Sequence, residues 1–153
     1  MTLSGLVVVV TGAAKGIGKE ISLRAAAEGT NVVINYLSDV KAANALVMHL
    51  GNNRALAVRA DISNTADIDN LIGATISRFG KIDILIPNAA FVPNGDLQTL
   101  TEEDFNRAFA VNVKGPCFLA KVGYPIIRLL LACVTQHVLS KQCCRYSCMR
   151  DQK

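Results

Sequence analysis

Thr11-Gly12-Ala13-Ala14-Lys15-Gly16-Ile17-Gly18 is where residue types and spacing in this sequence first suggest chemistry. A turn with so few side chains lets the backbone come close to a diphosphate, and amide groups left free at the start of a following helix point at its negative charge. The same residues would also serve a tight strand-to-helix turn that binds nothing. The setting favours the phosphate, because the apolar run Leu6–Val10 leads straight into the turn and a helix-period segment leaves it, within a repeated series of such pairs. The spacing is G-x-x-x-G-x-G, different from the commoner G-x-G-x-x-G.

The elements that must position this turn follow from hydrophobic pattern. Leu6-Val7-Val8-Val9-Val10 has no polar face, as expected for a parallel strand covered on both sides. Val32-Val33-Ile34 after Gly29, Ala55-Leu56-Ala57-Val58 after Asn52-Asn53, and Ile82-Asp83-Ile84-Leu85-Ile86 after Gly80 predict three more strands. Helices are expected between them over about 17–28, 40–50 and 65–79. In the third, Ile68, Leu71, Ile72, Ile76 and Phe79 form one stripe, with Asp67, Asp69 and Arg78 off it. Thr101-Glu102-Glu103-Asp104 offers a hydroxyl cap and acidic residues at the positive end of a fourth helix, whose buried face would be Phe105, Phe109 and Val113. Four strands joined by right-handed crossovers give an α/β fold, a doubly wound parallel sheet in the order 3-2-1-4.

Taken in chain order, Thr11-Gly12-x-x-x-Gly16-x-Gly18, Asp61 after the third strand, Asn88-Ala89-Ala90 after the fourth, and Asn112 within Val111-Asn112-Val113-Lys114-Gly115 resemble the motifs of the short-chain dehydrogenase/reductase family. The resemblance covers about residues 6–121. It implies a Rossmann-like cofactor-binding region in which Thr11, Gly12, Lys15, Gly16, Ile17 and Gly18 surround the nucleotide. It further implies that Asp61 hydrogen-bonds the adenine amino group, that Asn88 supports sheet and cofactor, and that Asn112 has an auxiliary catalytic role through an active-site water. Ala90 stands where the family usually has glycine. From the residues alone, Asp61 could equally cap the segment after it, and Asn112 could be a polar residue near a helix end.

Charge bears on which nicotinamide nucleotide is expected. Sheets that bind NAD place a carboxylate at the end of the second strand for the ribose hydroxyls, whereas NADP sites supply a cation for the 2′-phosphate. Here the second strand runs out through Ile34-Asn35-Tyr36-Leu37-Ser38, with no carboxylate before Asp39, and Lys15 lies in the glycine turn. NADP (NADPH) is therefore expected, with Lys15 and the stretch from Asn35 to Ser38 around the phosphate. Lys15 could alternatively be a solvated lysine.

Carbonyl reduction also needs an acid, and a tyrosine serves only when a nearby cation lowers its pKa. The family uses a Tyr-x-x-x-Lys pair, with a serine on the preceding strand. Tyr36 is followed four residues later by Val40, Tyr124 by Arg128 and Tyr146 by Arg150, so none gives the pair. An arginine fork differs in shape from a lysine reaching a ribose. Lys121 is a further matched position near the cofactor, or else a solvated helix lysine. Beyond it, the pattern over 126–138 suits a helix or a strand equally, and 140–153 is expected to be an exposed, poorly packed end.

Composition divides the chain at the same place. Apolar residues make up 51% and charged residues 18%, which excludes a disordered chain. Residues 1–120 carry 10 lysines and arginines against 11 aspartates and glutamates, while residues 121–153 carry 6 against 1. Cys133, Cys143, Cys144 and Cys148 also lie in that last part. The expected organisation is a dinucleotide-binding region over 1–121 and a divergent basic, cysteine-rich segment over 122–153 that never belonged to the ancestral fold. The tail lacks interleaved aromatics, so nucleic acid is not an expected partner. His137, Cys143, Cys144 and Cys148 do not have the spacing of zinc ligands. Uncharged runs fall short of the about 18 to 20 residues of a membrane span, and no export signal is expected, which suggests a cytoplasmic protein. The expected function is a truncated NADP-dependent ketoreductase acting on a small carbonyl or alcohol substrate, possibly as a homo-oligomer. The alternative is a catalytically inactive nucleotide-binding module.

Overall fold

The computed structural model describes residues 3–93 and 98–123, together with the backbone of 127–130. Its elements are β1 (Val7–Val10), α1 (Gly16–Ala27), β2 (Asn31–Tyr36), α2 (Val40–Leu50), β3 (Ala55–Arg59), α3 (Thr65–Phe79), β4 (Ile82–Ile86), α4 (Glu102–Phe109), a π-helical turn (Ala110–Lys114), α5 (Gly115–Gly123) and β5 (Ile127–Leu130). The sheet is parallel throughout, in the order β3-β2-β1-β4-β5. The expected order 3-2-1-4 is thus present.

Alternation along the central strands explains why β1 needs no polar face. Val8 and Val10 join Val32, Ile34, Ile84 and Ile86 beneath α1 and α2, where Ala26, Ala43 and Leu46 meet them. Val9, Val33 and Leu85 point the other way, onto Ile68, Leu71 and Ile72 of α3 and Leu119 of α5. A parallel sheet with helices on both faces leaves no water-facing side for such strands. The stripe read from the sequence of α3 is the face that packs here, and the Asn64 side chain accepts from the Ala66 N–H to start that helix.

Among the described residues, one charged side chain is buried in this framework. Asp83, the second residue of β4, is buried, and its Oδ2 accepts from the Val7 N–H at 2.9 Å and pairs with Lys81 Nζ at 2.8 Å. The carboxylate thereby ties the start of β1 to β4, at the amino ends of the strands and away from the glycine turn.

Two expectations change. The segment left open between helix and strand supplies β5, which pairs with β4 through Ile82↔Ile127, Ile84↔Leu129 and Leu85↔Leu130. The edge of β4 is therefore covered rather than exposed. Secondly, α4 begins as expected, with Thr101 Oγ1 accepting from the Asp104 N–H and three acidic residues in its first turn. It buries no residue, however: Phe105 is 48% and Phe109 53% exposed, with ring centroids 4.6 Å apart. Val113 is half-buried. A four-residue spacing puts two rings on one face, but only the placement of the helix decides whether anything covers that face.

These burial differences set an expected contrast in stability. Leu71→Ala, at a fully buried position, should lower the unfolding free energy by roughly 2–5 kcal/mol. Phe109→Ala should lower it by about 1 kcal/mol or less. Urea denaturation followed by circular dichroism measures both.

Candidate functional site

The carboxyl ends of β1 to β4 open into a cavity of about 440 Å³. Its walls are Gly12, Ala14, Lys15 and Ile17 from the glycine turn, Asn35 to Asp39 after β2, Ala60 to Ile62 after β3, Asn88 to Phe91 after β4, and Arg107 and Val111 from α4 and the π-helical turn. This is the crevice where strand order reverses about β1, the usual ligand position in an open α/β sheet.

Asn35 holds the loops together. It is buried, an amide at the end of an otherwise apolar run in β2, and so its polar atoms need partners. Its Oδ1 accepts from the Gly12 N–H at 3.2 Å, its backbone carbonyl accepts from the Ala13 N–H at 2.8 Å, and its Nδ2 donates to the Ala60 carbonyl at 3.0 Å. Asn35 thus both lines the cavity and braces the glycine turn against the end of β3 with its side chain.

Thr11 and Asn88 do the same on the other side of β1. Thr11 is wholly buried, and its Oγ1 accepts from the N–H groups of Asn88 and Ala89, each at 2.9 Å. Asn88 Nδ2 donates to the carbonyl of Thr11 at 2.9 Å and, more weakly, to that of Gly12 at 3.4 Å. The approach is so close that glycine is required twice. At Gly12, with φ +63°, a Cβ would lie 2.9 Å from the Cα of Ala89. At Gly18 it would lie 2.6 Å from Asn88 Nδ2 and from the Gly12 carbonyl oxygen. Gly16 opens α1, and its N-cap residue, Lys15, makes no side-chain bond to the helix start. The first amides of α1 therefore have no side-chain cap, as an anion-binding helix end requires. Ile17 is 66% exposed and forms part of the wall.

The expected site residues separate into those that line the cavity and those that support it. Gly12, Lys15, Ile17, Ser38, Asp61 and Asn88 line it. Thr11 and Gly18 form the packing behind the turn. Asp61 Oδ1 accepts from the N–H and Oγ of Ser63, at 2.9 and 2.7 Å, so this carboxylate also caps the segment after β3. Asp39 lines the cavity too, and its Oδ1 accepts from the Ala42 N–H at the start of α2. Lys121 is not brought to the cavity. It is exposed on α5, with its ammonium 5.4 Å from the centre of the Phe118 ring.

Asn112 stands in the π-helical turn, and its amide grips the backbone of Phe91: Oδ1 accepts from the Phe91 N–H and Nδ2 donates to the Phe91 carbonyl, both at 2.8 Å. The Arg107 guanidinium lies 4.4 Å from the centre of the Phe91 ring. Phe91 and Arg107 went unread in the sequence. An arginine on the polar side of a helix and a phenylalanine in a loop carry no spacing signal that would join them.

Among the described residues the only tyrosine is Tyr36, and no cluster of three metal-ligating side chains occurs. No helix among them is long and apolar enough to cross a membrane. Tyr124, Tyr146, Arg150 and the cysteines of the tail lie outside the described residues. The arrangement can therefore hold a ligand with a diphosphate and a flat base, but the described part shows no paired acid and cation for proton transfer.

Comparison with known proteins agrees with this geometry. Residues 6–128 match the family described as short chain dehydrogenase. A probable tetrahydroxynaphthalene reductase of Zymoseptoria tritici is 35% identical over 124 residues, which are 80% of this chain and 46% of that protein. The chain spans about half the length of the curated relatives it matches. Among solved structures, a short chain dehydrogenase from Burkholderia cenocepacia in complex with NADP superposes with a TM-score of 0.82 at 27% identity, covering 99% of this chain and 65% of that one. A 3-ketoacyl-(acyl-carrier-protein) reductase from Brucella melitensis complexed with NADH gives 0.76 at 37% identity, covering 81% and 51%.

The supporting contacts can be probed apart from any ligand. Asn35→Ala leaves the Gly12 N–H and the Ala60 carbonyl without their partner and should destabilise the fold by about 1–3 kcal/mol. Gly73→Ala, at an exposed position inside α3 where a Cβ meets nothing within 4 Å, should stabilise it by roughly 0.5–1 kcal/mol. Paired urea titrations give both signs.

Proposed function

Because this chain belongs to the short-chain dehydrogenase family, we propose that its cavity takes NADP(H) and that the protein serves the reduction of a ketone or the oxidation of an alcohol. The observation that carries this reading is the meeting, in one cavity, of the uncapped start of α1 with Lys15, Ser38 and Asp61. The residues fit a dinucleotide. Gly16, where a Cβ would meet nothing within 4 Å, leaves the backbone open to a diphosphate beside Gly12 and Ile17, and the free amides of α1 face its charge. Lys15 and Ser38 supply a cation and a hydroxyl for a 2′-phosphate, and the free oxygen of Asp61 suits the amino group of an adenine.

A nicotinamide bound here supplies or accepts hydride at the carbonyl carbon. The chain's own residues would shape the cavity wall around it. Asn112 and Arg107 fix Phe91, so the wall after β4 would keep its shape around a bound nucleotide. Asp39 lines the cavity with one oxygen engaged by the start of α2, so its other oxygen is the feature that would favour NAD instead. Solved relatives carry both kinds of nucleotide, one with NADP and another with NADH.

A second reading, a nucleotide-binding module without turnover, is favoured by the sequence around the tyrosines: none of the three is followed four residues later by lysine. The two readings differ in what an assay returns. NADPH oxidation with a panel of ketones that is lost in Tyr146→Phe supports a catalytic chain, whereas nucleotide binding with no oxidation supports the module. Cofactor choice is checked by fluorescence titration: NADPH should bind more tightly than NADH, and Lys15→Gln should narrow that preference by about three- to tenfold. Tighter binding of NADH would overturn the NADP assignment.

A further inference from the structure

A second cation, Arg59, is bonded to the loop after β2 that carries Ser38. Arg59 closes β3 opposite Tyr36 in the parallel register, and its Nε donates to the Leu37 carbonyl at 3.1 Å. Leu37 and Ser38 line the cavity from the β2 side, and Ala60 and Asp61, the residues directly after Arg59, line it from the β3 side. Arg59 is not itself a wall residue; its Nε is bonded to one wall segment and the chain runs directly from it into the next. Arg59 is exposed, and among the described residues no acceptor engages its two Nη atoms. A guanidinium held at one nitrogen, with its remaining donors free and its plane already oriented, loses little freedom on meeting a phosphate.

We propose that Arg59 is a specificity-determining residue for the nucleotide's 2′-phosphate, reaching it from the β3 side while Lys15 reaches it from the glycine turn. The inference rests on the NADP reading above and extends it to a residue outside the glycine turn and the β2 loop. Asp39 and Asp61, the acids in the same walls, each have one oxygen engaged, by a helix start and by a turn. The contribution is electrostatic and partly exposed, so it weakens as salt rises.

The test uses the whole chain and two probes without nicotinamide, 2′,5′-ADP and 5′-ADP, titrated calorimetrically at low and high salt. Wild type should prefer 2′,5′-ADP. Arg59→Gln should bind 2′,5′-ADP about three- to tenfold more weakly, with 5′-ADP affinity unchanged, and Arg59→Lys should recover part of the loss. If wild type discriminates but Arg59→Gln keeps the full preference, the role of Arg59 is overturned and the NADP reading stands. Equal loss of both ligands in Arg59→Gln assigns the residue to folding of the β2 loop and also overturns the proposal. Wild type that does not distinguish the probes overturns the NADP reading, and the Arg59 proposal with it.

Discussion

The hydrogen bonds of the Asn35 side chain solve the main physical problem of this fold. A cavity at the ends of parallel strands is walled by loops whose backbone groups have no regular partners, yet buried N–H and C=O groups must be satisfied. One amide answers for two loops at once, accepting from Gly12 and donating to Ala60. Thr11 and Asn88 do the corresponding work toward β4. With those groups satisfied internally, the first amides of α1 are left for a ligand. An apolar side chain at position 35 would pack equally well in the sheet but would leave the turn without a brace.

The rest of the architecture serves that junction from a distance. β1 is buried on both faces, so its end cannot move without disturbing two cores. At the amino end of the strand Asp83 binds the first amide of β1 and is itself paired with Lys81. A buried carboxylate is tolerable only with such partners. The strand is therefore held by directional bonds at both ends and by apolar packing between them, and the glycine turn inherits that rigidity.

On the far wall, Asn112 and Arg107 act together on Phe91, one through its backbone and the other through its ring. A π-helical turn is rare and occurs frequently at functional sites; here it carries the residue whose amide makes the backbone contact. The loop after β4 is thus positioned from two sides, by Thr11 beneath it and by the helix beyond it.

Much of the framework was legible in the sequence because it follows from periodicity. The two-sided strands, the stripe of α3, the cap at Thr101 and the order of β1 to β4 all rest on local pattern and on the handedness of crossovers. The glycine turn was legible because few arrangements other than close backbone approach call for that spacing. What lay opposite each residue was not legible. The pairing of Phe105 with Phe109 in solvent, the distance of Lys121 from the cavity, the bracing role of Asn35 and the addition of β5 each depend on where separate elements are placed. The sequence by itself determined which faces are apolar and where the chain turns, since both are local properties of side chain and backbone. Only the tertiary structure decided which polar groups brace the cavity and which face into it, because a hydrogen bond between residues far apart in the chain is a fact of packing geometry.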